Sequence, residues 1–338
     1  MKNRCLYLDA EHRLTIREMP VPEPVKNQVL IKISANGICG SDLHFYKDGR
    51  LGNFVVDRPY IPGHEASGVI VGFGSEAGKF KEGDRVVIEP GVPCGRCSLC
   101  KSGRYNLCPD VVFLSAPPID GTFCDYVAVN EDFVFPIPDK LSQTHAALAE
   151  PVAVAVQAVN RAAVRPGESG IIVGSGPIGL LTLQAFKAAG GSRAVCTDMV
   201  SQRLDMALKL GADEVFMADQ IPDRLLGSGD VVFETAGNDR ATEQLFDLAR
   251  PGGRCIQMGW PQSDRVPLDV AQMMEKELDY RGINRYANAF PAALEWLADG
   301  RIDADAVITH SFSFDDAVEA FDWAIGHPAE TLKVVVEN

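Results

Sequence analysis

The stretch GIIVGSGPIGLL, residues 170–181, decides the fold, because three glycines separate a strand-like run from a helix-like run. Its first residues are apolar and β-branched, as in a buried strand, and Pro177 is a residue type favoured at the first position of a helix. Gly174, Gly176 and Gly179 follow the pattern G-x-G-x-x-G. In this context the pattern is typical of a turn that lets the N–H groups of a helix start approach a pyrophosphate. We therefore predict a dinucleotide-binding turn rather than an ordinary strand–helix connection.

Strands and helices continue to alternate beyond this turn, in the segments RAVCTD, SQRLDMALKLGA, DEVFMA, DVVFETAG, ATEQLFDLARPGG and RCIQMGW. Buried apolar strands separated by amphipathic helices predict a doubly wound parallel sheet. The segment RAVCTD ends in Asp198, whose carboxylate can accept hydrogen bonds from both ribose hydroxyls of an adenosine and repels a 2′-phosphate. Because Met199 and Val200 are not basic, NAD is favoured over NADP.

The first part of the chain has a different texture. Over residues 25–138, short runs such as VLIKI, SGVIVGF and RVVIE are punctuated by Gly and Pro, which favours a β-rich unit. After residue 287 come two helical segments and the strand LKVVVEN, too little for a domain, so we expect this tail to rejoin the β-rich part. The predicted fold class is therefore α/β, with a β-rich domain over residues 1–152 and 288–338 and a doubly wound domain over residues 153–287.

The composition is that of a globular protein, with 46% hydrophobic and 23% charged residues. The formal net charge of −14 repels a phosphate backbone, so nucleic acid is not expected as a partner. The beginning, MKNRCLYLDAEHRLTI, lacks the apolar core of a secretory signal, and no stretch approaches the ~18 apolar residues of a membrane span. We therefore expect a cytoplasmic protein without membrane contact, in which thiols stay reduced and clustered cysteines bind metal.

Four of the nine cysteines lie within PGVPCGRCSLCKSGRYNLC, residues 90–108. The spacing C-x2-C-x2-C-x7-C suits a closed tetrahedral zinc site with four thiolates. Disulfides would be the alternative in an exported protein, and a nucleic-acid-binding zinc knuckle would need a run of aromatic residues that this segment lacks. We predict a structural zinc lobe over residues 90–110, with the ligands Cys94, Cys97, Cys100 and Cys108. The other cysteines in apolar, strand-like segments are predicted core residues: Cys5, Cys124, Cys196 and Cys255.

Two further stretches concentrate metal-binding residue types, GICGSDLH at residues 37–44 and GHEASG at residues 63–68. A third candidate, Glu150, precedes a proline at the predicted domain junction. A lone Cys is usually a small core residue, and a His beside a Glu in a loop is usually solvated. Together, however, one thiolate, one imidazole and one carboxylate with an open fourth position form the ligand set of a catalytic zinc. Composition alone does not bring these residues together.

The order of these motifs resembles that in the zinc-dependent medium-chain dehydrogenases, and within them the sorbitol (polyol) dehydrogenase branch. GICGSDxH, GHExxG, the four-cysteine lobe and GxGxxG follow one another, and the similarity runs from about residue 4 to residue 336. The segments CGSDLHFYKDGRLGNFVVDRPYIPGHEASG and RYANAFPAAL are especially similar to the polyol enzymes. The resemblance implies a GroES-like catalytic domain in the β-rich part, a Rossmann coenzyme domain in the doubly wound part, and a homo-oligomer, with a tetramer favoured.

The resemblance also implies roles for individual residues. The catalytic zinc would be held by Cys39 and His64, with Glu65 and Glu150 as further metal ligands, and Asp42 would orient His64. The catalytic proton transfer would use Ser41, His44 and Glu150. The substrate contacts would be Phe45, Glu150, Arg285 and Tyr286, with Phe45 standing where some animal polyol enzymes have a tyrosine. The cofactor contacts would be Gly174, Gly176, Pro177, Ile178, Gly179, Asp198, Arg203, Met258, Gly259, Ile283 and Arg285.

The activity implied by the resemblance is zinc-dependent, NAD-linked and reversible oxidation of a secondary hydroxyl of a polyol to a ketose. L-threonine and 2,3-butanediol dehydrogenases share most of these motifs, and a sugar-phosphate dehydrogenase is a further alternative that needs a basic pocket. A nucleotide-binding zinc sensor without catalysis is an alternative from another class. The joint presence of Cys39, Ser41 and His64 argues against the sensor.

Overall fold

The protein is described here from a computed structural model over residues 2–263 and 265–338. It forms two compact units. The first comprises Met1–Glu150, Ala293–Ala298 and Ile308–Asn338, and the second comprises Pro151–Ala292 and Asp299–Val307. The end of the chain therefore folds with its beginning.

The first unit is rich in β-structure, as its Gly- and Pro-punctuated sequence predicts. Its strands before residue 140 are β1 (Lys2–Leu8), β2 (Leu14–Pro20), β3 (Gln28–Gly37), β4 (Arg50–Leu51), β5 (Phe54–Val55), β6 (Glu65–Phe73), β7 (Arg85–Ile88), β8 (Gly91–Val92), β9 (Val112–Phe113), β10 (Tyr126–Asn130) and β11 (Val134–Pro136). Its helices in this range are α1 (Gly40–Asp48), α2 (Ser98–Lys101) and α3 (Gln143–Ala146), with 3₁₀ turns at Tyr105–Leu107 and Glu131–Phe133.

The second unit contains the predicted parallel sheet. Its strands are β12 (Ser169–Val173), β13 (Arg193–Asp198), β14 (Glu214–Met217), β15 (Gly229–Glu234), β16 (Ala249–Gln257) and β17 (Asp279–Gly282). The helices that lie along this part of the chain are α4 (Ala149–Ala162), α5 (Pro177–Ala188), α6 (Ser201–Lys209), α7 (Asp239–Glu243), α8 (Leu245–Leu248), α9 (Val270–Glu275), α10 (Phe290–Ala298) and α11 (Ala304–Val307), with a 3₁₀ turn at Asp223–Leu225.

The strand order in this sheet is β14-β13-β12-β15-β16-β17, and the pairs are parallel. The direction of winding reverses between β12 and β15, which are neighbours in the sheet. Ligands of doubly wound sheets bind at the carboxyl ends of strands on either side of such a reversal. The glycine turn follows β12 directly, so the sheet topology puts it at this position. The prediction of a doubly wound parallel sheet is confirmed.

The end of the chain completes the sheet of the first unit. It contributes β18 (Ile308–Ser313), a 3₁₀ turn at Phe314–Asp316, α12 (Ala317–Gly326) and β19 (Lys333–Glu337). The seven-stranded sheet has the order β11-β7-β6-β3-β19-β18, and β10 also pairs with β3. Strand β19 runs antiparallel to β3, with Val335 opposite Gly37. This pairing brings the start of β19 next to the loop that carries Cys39.

Each unit has its own apolar core. In the first unit, α12 and β19 pack with β1 and α1 through side chains that include Leu6, Phe45, Phe123 and Phe321. In the second, strands β12, β13, β15 and β16 share a core with α7 and α8. Burial of these side chains, at about 25 cal/mol per Å² of apolar surface, is the main favourable contribution to folding. Within residues 2–263 and 265–338, no helix is long and apolar enough to cross a membrane.

Candidate active site

The four cysteines of the lobe form one cluster. The Sγ atoms of Cys94, Cys97, Cys100 and Cys108 all lie within 4.8 Å of one another. Backbone N–H groups point at these sulfurs: Cys94 N lies 3.4 Å from Cys108 Sγ, and Cys100 N lies 3.5 Å from Cys97 Sγ. Amides of Arg96 and Cys97 lower the pKa of Cys94 to about 6. Amide donors stabilise thiolates, so this cluster fits a tetrahedral zinc ion.

A second group of ligand atoms lies where β3 gives way to α1 and where β6 begins. One ligand atom each of Cys39, His64 and Glu65 lies within 4.8 Å of the other two. His64 is 6% exposed, and its Nδ1 atom is buried without a hydrogen-bond partner. Burial opposes a charge on His64, but the Cys39 thiolate and the Asp42 carboxylate outweigh it and raise the pKa of the imidazole. A thiol, an imidazole and a carboxylate whose ligand atoms converge in a largely buried place form a ligand set that fits a metal ion.

Asp42 fixes the position of this group. Its carboxylate is fully buried and accepts hydrogen bonds from the backbone N–H of Cys39 at 3.0 Å and from Ser115 Oγ at 3.0 Å. The same carboxylate lies 3.8 Å from His64 Nδ1. It therefore ties the start of α1 to the loop before β6. Ser115 could not be predicted as a partner, because it is distant from Asp42 along the chain and lies in no recognisable motif.

Glu65 has a partner that the sequence did not reveal. Lys333 Nζ, at the start of β19, lies 2.8 Å from both carboxylate oxygens of Glu65 and 3.0 Å from the carbonyl oxygen of Ile38. Lys333 is 3% exposed. Burial alone would lower its pKa, but Glu65 and Cys39 raise it. Glu65 is thus held by a buried cation, and a metal ion would compete with that cation for its oxygens. The charged residue that precedes the three valines of the final strand was the available sequence signal.

Glu150 lies outside the group formed by Cys39, His64 and Glu65 in the described residues. It is 6% exposed in the first turn of α4, and its charge contributes to raising the pKa of both His64 and Lys333.

A further carboxylate near Glu150, that of Glu89, was not predicted from the sequence. Glu89 is 2% exposed and accepts a hydrogen bond from Tyr105 Oη at 2.8 Å. Its burial, together with the charge of Glu150, raises its pKa to about 7.

Three further predicted residues lie on α1. Ser41 is half-buried, in the first turn of the helix. His44 is exposed, and its Nδ1 atom lies 3.2 Å from Asp48 Oδ2. Phe45 is 4% exposed and packs edge-on against Tyr60 in the core of the first unit. A packing role explains this placement of Phe45, whereas its predicted substrate contact stays a prediction.

The glycine turn of the second unit borders a cavity of about 430 Å³. Gly174 has φ +96°, and a Cβ on Gly179 would lie 2.0 Å from the carbonyl oxygen of Gly174, so both positions require glycine for the fold. A Cβ on Gly176 would instead meet only Arg203 Nη1, at 3.8 Å. Packing within the protein therefore does not require a glycine at position 176. The open space in front of Gly176, at the start of α5, fits a phosphate group.

Asp198 lies at the carboxyl end of β13 and lines the same cavity. Its carboxylate accepts hydrogen bonds from Ser175 N at 2.7 Å and from Val200 N at 2.9 Å, so it also anchors the glycine turn. Arg203 Nη1 lies 3.9 Å from Asp198 Oδ2. Each carboxylate oxygen has two lone pairs, so capacity is left for ribose hydroxyls. Arg240 also lines the cavity and was missed, because it follows the less distinctive strand β15.

The remaining predicted cofactor residues lie in the same unit. Pro177 lines the cavity, and Ile178 is in the first turn of α5, where its carbonyl accepts a hydrogen bond from Thr182. Met258 and Gly259 follow β16, and Ile283 follows β17, with its N–H bonded to the Gln257 carbonyl at 3.1 Å. None of these last three lines the described cavity. Beside them, the buried Glu234 accepts hydrogen bonds from Ala236 N and Gly237 N and fixes the loop after β15.

The predicted substrate pair Arg285 and Tyr286 lies in a turn before α10. Arg285 has φ +56°, an uncommon left-handed conformation for a residue with a side chain, and is half-buried. Tyr286 is 2% exposed and packs edge-on against Phe290. The buried tyrosine fixes the turn that presents Arg285.

A nucleotide-type turn on a doubly wound sheet and a cysteine–histidine–glutamate group on a β-rich unit define the class of metal-containing, dinucleotide-dependent dehydrogenases. Comparison with known proteins supports the same class. The alcohol dehydrogenase GroES-like domain matches residues 25–139, and the zinc-binding dehydrogenase domain matches residues 177–299. The chain belongs to the zinc-dependent medium-chain dehydrogenases, in the polyol dehydrogenase branch. The predicted family and the GroES-like and Rossmann fold classes are confirmed.

Individual relatives cover nearly the whole chain. A sorbitol dehydrogenase of Bacillus subtilis (strain 168) is 44% identical over 96% of this chain and 94% of its own length. The crystal structure of L-idonate 5-dehydrogenase from Escherichia coli K-12 superposes with a TM-score of 0.94 at 31% identity, covering 100% of this chain and 99% of that one. A short chain alcohol dehydrogenase from Escherichia coli CFT073, solved with NADH, superposes with a TM-score of 0.92 at 26% identity, covering 100% and 99%.

Proposed function

We propose that this protein is a polyol dehydrogenase that reversibly oxidises a secondary hydroxyl to a ketone, with NAD as hydride acceptor. The observation that carries the proposal is the group of Cys39, His64 and Glu65, whose ligand atoms lie within 4.8 Å of one another, in a chain that also has the open glycine turn. The sorbitol and L-idonate dehydrogenases to which the chain is similar act on polyhydroxylated substrates, as their names state.

In this proposal Cys39 and His64 hold the catalytic zinc, and Cys94, Cys97, Cys100 and Cys108 hold the structural one. A zinc ion at the first site supplies a Lewis acid that lets an alcohol ionise near neutral pH. Asp42 keeps the imidazole of His64 oriented, and Lys333 keeps the charge of Glu65 balanced when Glu65 is not bound to metal. The carboxylate of Glu150 lies near enough to His64 and Lys333 to raise the pKa of both. It is proposed as a further ligand of the metal or as a proton acceptor.

The hydroxyl of Ser41 and the imidazole of His44 are proposed to carry the alcohol proton to solvent. Both lie on α1, Ser41 half-buried and His44 exposed, so the order from inside to outside supports such a relay. The hydrogen bond of His44 to Asp48 keeps the imidazole in position to accept a proton. Phe45, Arg285 and Tyr286 are proposed to shape the substrate pocket.

The second unit is proposed to bind NAD through its glycine turn and Asp198. The carboxylate accepts the ribose hydroxyls and repels a 2′-phosphate. Replacing Asp198 with Ala is expected to lower the ratio of kcat/KM with NAD to that with NADP by about tenfold or more, because one charged hydrogen-bond acceptor is worth ~1.4 kcal/mol or more. Initial rates with both coenzymes measure this ratio, and an unchanged ratio argues against the ribose contact.

The domain division of the proposal is a catalytic domain over residues 1–152 and 288–338 and a coenzyme domain over residues 153–287. The two compact units support this division except at residues 151–152, 288–292 and 299–307, which belong to the second unit. A homo-oligomer, with a tetramer favoured, is also proposed. The edge position of β17 and exposed apolar side chains nearby in the chain support an interface there: Trp260, Val270, Met274 and Tyr280. Light scattering after size exclusion measures the assembly.

A substrate panel tests the proposed reaction. Sorbitol, xylitol, galactitol, 2,3-butanediol, L-threonine and a polyol phosphate are each assayed by NADH absorbance, with and without a zinc chelator. We expect polyols to give the highest kcat/KM and the chelator to remove the activity. Exclusive activity on threonine, butanediol or the phosphate would replace the polyol assignment by that alternative. NADH binding without turnover of any substrate would favour the sensor.

A further inference from the structure

Two buried thiols outside both metal-ligand groups face each other in the first unit. Cys5 in β1 is 1% exposed, and Cys124, just before β10, is 2% exposed. The two residues are direct partners in an isolated antiparallel bridge. Both belong to the core of the first unit, as the sequence predicted, but neither takes part in the proposed reaction.

The backbone around the pair has the geometry that a disulfide needs. The hydrogen bonds Leu6 N to Phe123 O and Asp125 N to Arg4 O, each 2.9 Å, flank the two cysteines on either side. The cysteines are therefore a non-hydrogen-bonded antiparallel pair, in which Cα atoms lie about 4.5 Å apart. Disulfides span Cα separations of about 4.4–6.8 Å. The strands can be joined through these side chains with little movement of the backbone.

The two thiols also differ in their readiness to react. They share a hydrogen bond, which lowers the pKa of Cys5 and raises that of Cys124. Cys124 Sγ additionally lies 3.2 Å from the carbonyl oxygen of Tyr126, which it can use as an acceptor. Thiolates rather than thiols are the nucleophiles in sulfur chemistry. Cys5 is therefore the attacking sulfur, and Cys124 is the second thiol that closes the bond.

The buried cysteines of the second unit lack this arrangement. Cys196 lies in β13 and Cys255 in β16, which are separated by two strands in the sheet. Burial raises the pKa of each to about 12. These two thiols are equally hidden from solvent but have no facing cysteine across a neighbouring strand, so they serve as matched controls.

We propose that Cys5 and Cys124 form a reversible cross-strand disulfide on reaction with hydrogen peroxide. The Cys5 thiolate attacks one oxygen of the peroxide, the O–O bond breaks, a sulfenic acid forms on Cys5, and the released hydroxide takes up a proton and leaves as water. The Cys124 thiol then attacks the Cys5 sulfur, the S–S bond forms, and a second water leaves. Two thiols are oxidised and one peroxide is reduced, so atoms and electrons balance. The inference does not depend on the proposed metal, coenzyme or substrate.

Access to the pair requires opening of the N-terminal strands. β1 and β2 form a two-stranded sheet, and β1 meets the rest of the sheet structure only at the bridges Cys5–Cys124 and Leu8–Tyr60 in the described residues. Arg4 and Asp125 add an ion pair at 2.8 Å beside the thiols. Elements with few hydrogen-bonded links to the rest of a fold open more readily than its central strands. A disulfide would then fasten β1 to the core and oppose this opening.

Peptide mapping of the oxidised holoprotein tests the proposal. The protein is treated with a small excess of hydrogen peroxide, unfolded with N-ethylmaleimide present, and cleaved without reduction before each Asp. This cleavage releases residues 1–8 and 120–124, each with one cysteine. We expect the two peptides to be recovered as one linked species, two hydrogens lighter than their sum, which dithiothreitol separates. We also expect a higher thermal unfolding midpoint than in the reduced protein.

Variants distinguish the pair from other thiols. Cys5→Ser and Cys124→Ser should each abolish the linked species and the increase in midpoint, whereas Cys255→Ser should leave both unchanged. The wild-type map alone decides the matter if a variant fails to fold. Recovery of both peptides in maleimide-labelled form, under conditions that oxidise the lobe cysteines, would overturn the proposal. So would Cys5 or Cys124 linked to another cysteine.

Discussion

At the residue scale, Lys333 links the end of the chain to the candidate active site. Its ammonium contacts both oxygens of Glu65 and the carbonyl of Ile38, all in a buried environment. Such a pair is costly to bury but even more costly to break, since one charge is left alone. The pair therefore holds β19 against the segment that carries the proposed zinc ligands.

Replacing Lys333 with Met is expected to lower the free energy of unfolding by about 3–5 kcal/mol, because Glu65 becomes an unpaired buried charge. The double variant with Glu65→Gln should recover most of this loss. Urea unfolding of the three proteins measures the difference. Equal urea midpoints for the wild type and the Lys333→Met variant would show that Lys333 does not stabilise the buried charge of Glu65.

The same residues show where sequence reasoning reaches its limit. Cys39, His64 and Glu65 could be proposed from two short motifs, because each motif is local. Lys333 could not, because it contacts Glu65 from 268 residues further along the chain, through a strand pairing that the local pattern does not encode. Phe45 could be named but not placed, since its burial against Tyr60 depends on how α1 packs.

At the scale of elements, the glycine turn and the cysteine lobe are short segments whose conformation follows from few residues. The turn was predictable because G-x-G-x-x-G lies between a strand and a helix in the sequence itself. The docking of the lobe was not, because it uses Tyr105 and the buried Glu89 at the end of β7.

Gly176→Ala is expected to weaken NADH binding by about tenfold or more, because a methyl group would occupy the space proposed for the pyrophosphate. Its stability should stay close to that of the wild type, since among the described residues other than its chain neighbours the nearest atom to the added carbon is Arg203 Nη1, at 3.8 Å. Gly174→Ala is the control. It should lose about 1–3 kcal/mol of stability through its left-handed backbone. Fluorescence titration and urea unfolding separate the two effects. Unweakened binding by Gly176→Ala would refute the pyrophosphate position.

Glu89 should make the stability of the protein depend on pH. Burial raises its pKa from 4.5 to about 7 in the folded protein, so the folded state binds the proton more tightly than the unfolded state. The contribution of Glu89 to the free energy of unfolding is fully present below pH 4.5. It is lost as the pH rises to about 7, and the free energy of unfolding falls by about 3 kcal/mol over this range. Relative to Glu89→Gln, the wild type should lose stability across this window. Parallel unfolding curves for the two proteins at all pH values would contradict the assignment.

At the scale of the whole molecule, the architecture of each unit could be predicted from the sequence, but the exact set of residues that belongs to each unit could not. Alternating strands and helices defined the parallel sheet, and the fold confirms it. The return of the chain end to the first unit could be expected because the tail is too short to form a core alone. The assignment of residues 299–307 to the second unit could not be expected, because it depends on packing of a helix with no distinctive pattern.

The central claim is that a metal ion held by Cys39 and His64 is required for alcohol oxidation, separately from coenzyme binding. The most direct test measures bound zinc, NADH affinity and polyol turnover in the wild type and in Cys39→Ser. We expect the variant to lose one zinc ion while keeping that of the lobe, to bind NADH with unchanged affinity, and to lose turnover by ~100-fold or more. A metal-free preparation with full activity, or a Cys39→Ser variant with normal turnover, would contradict the account.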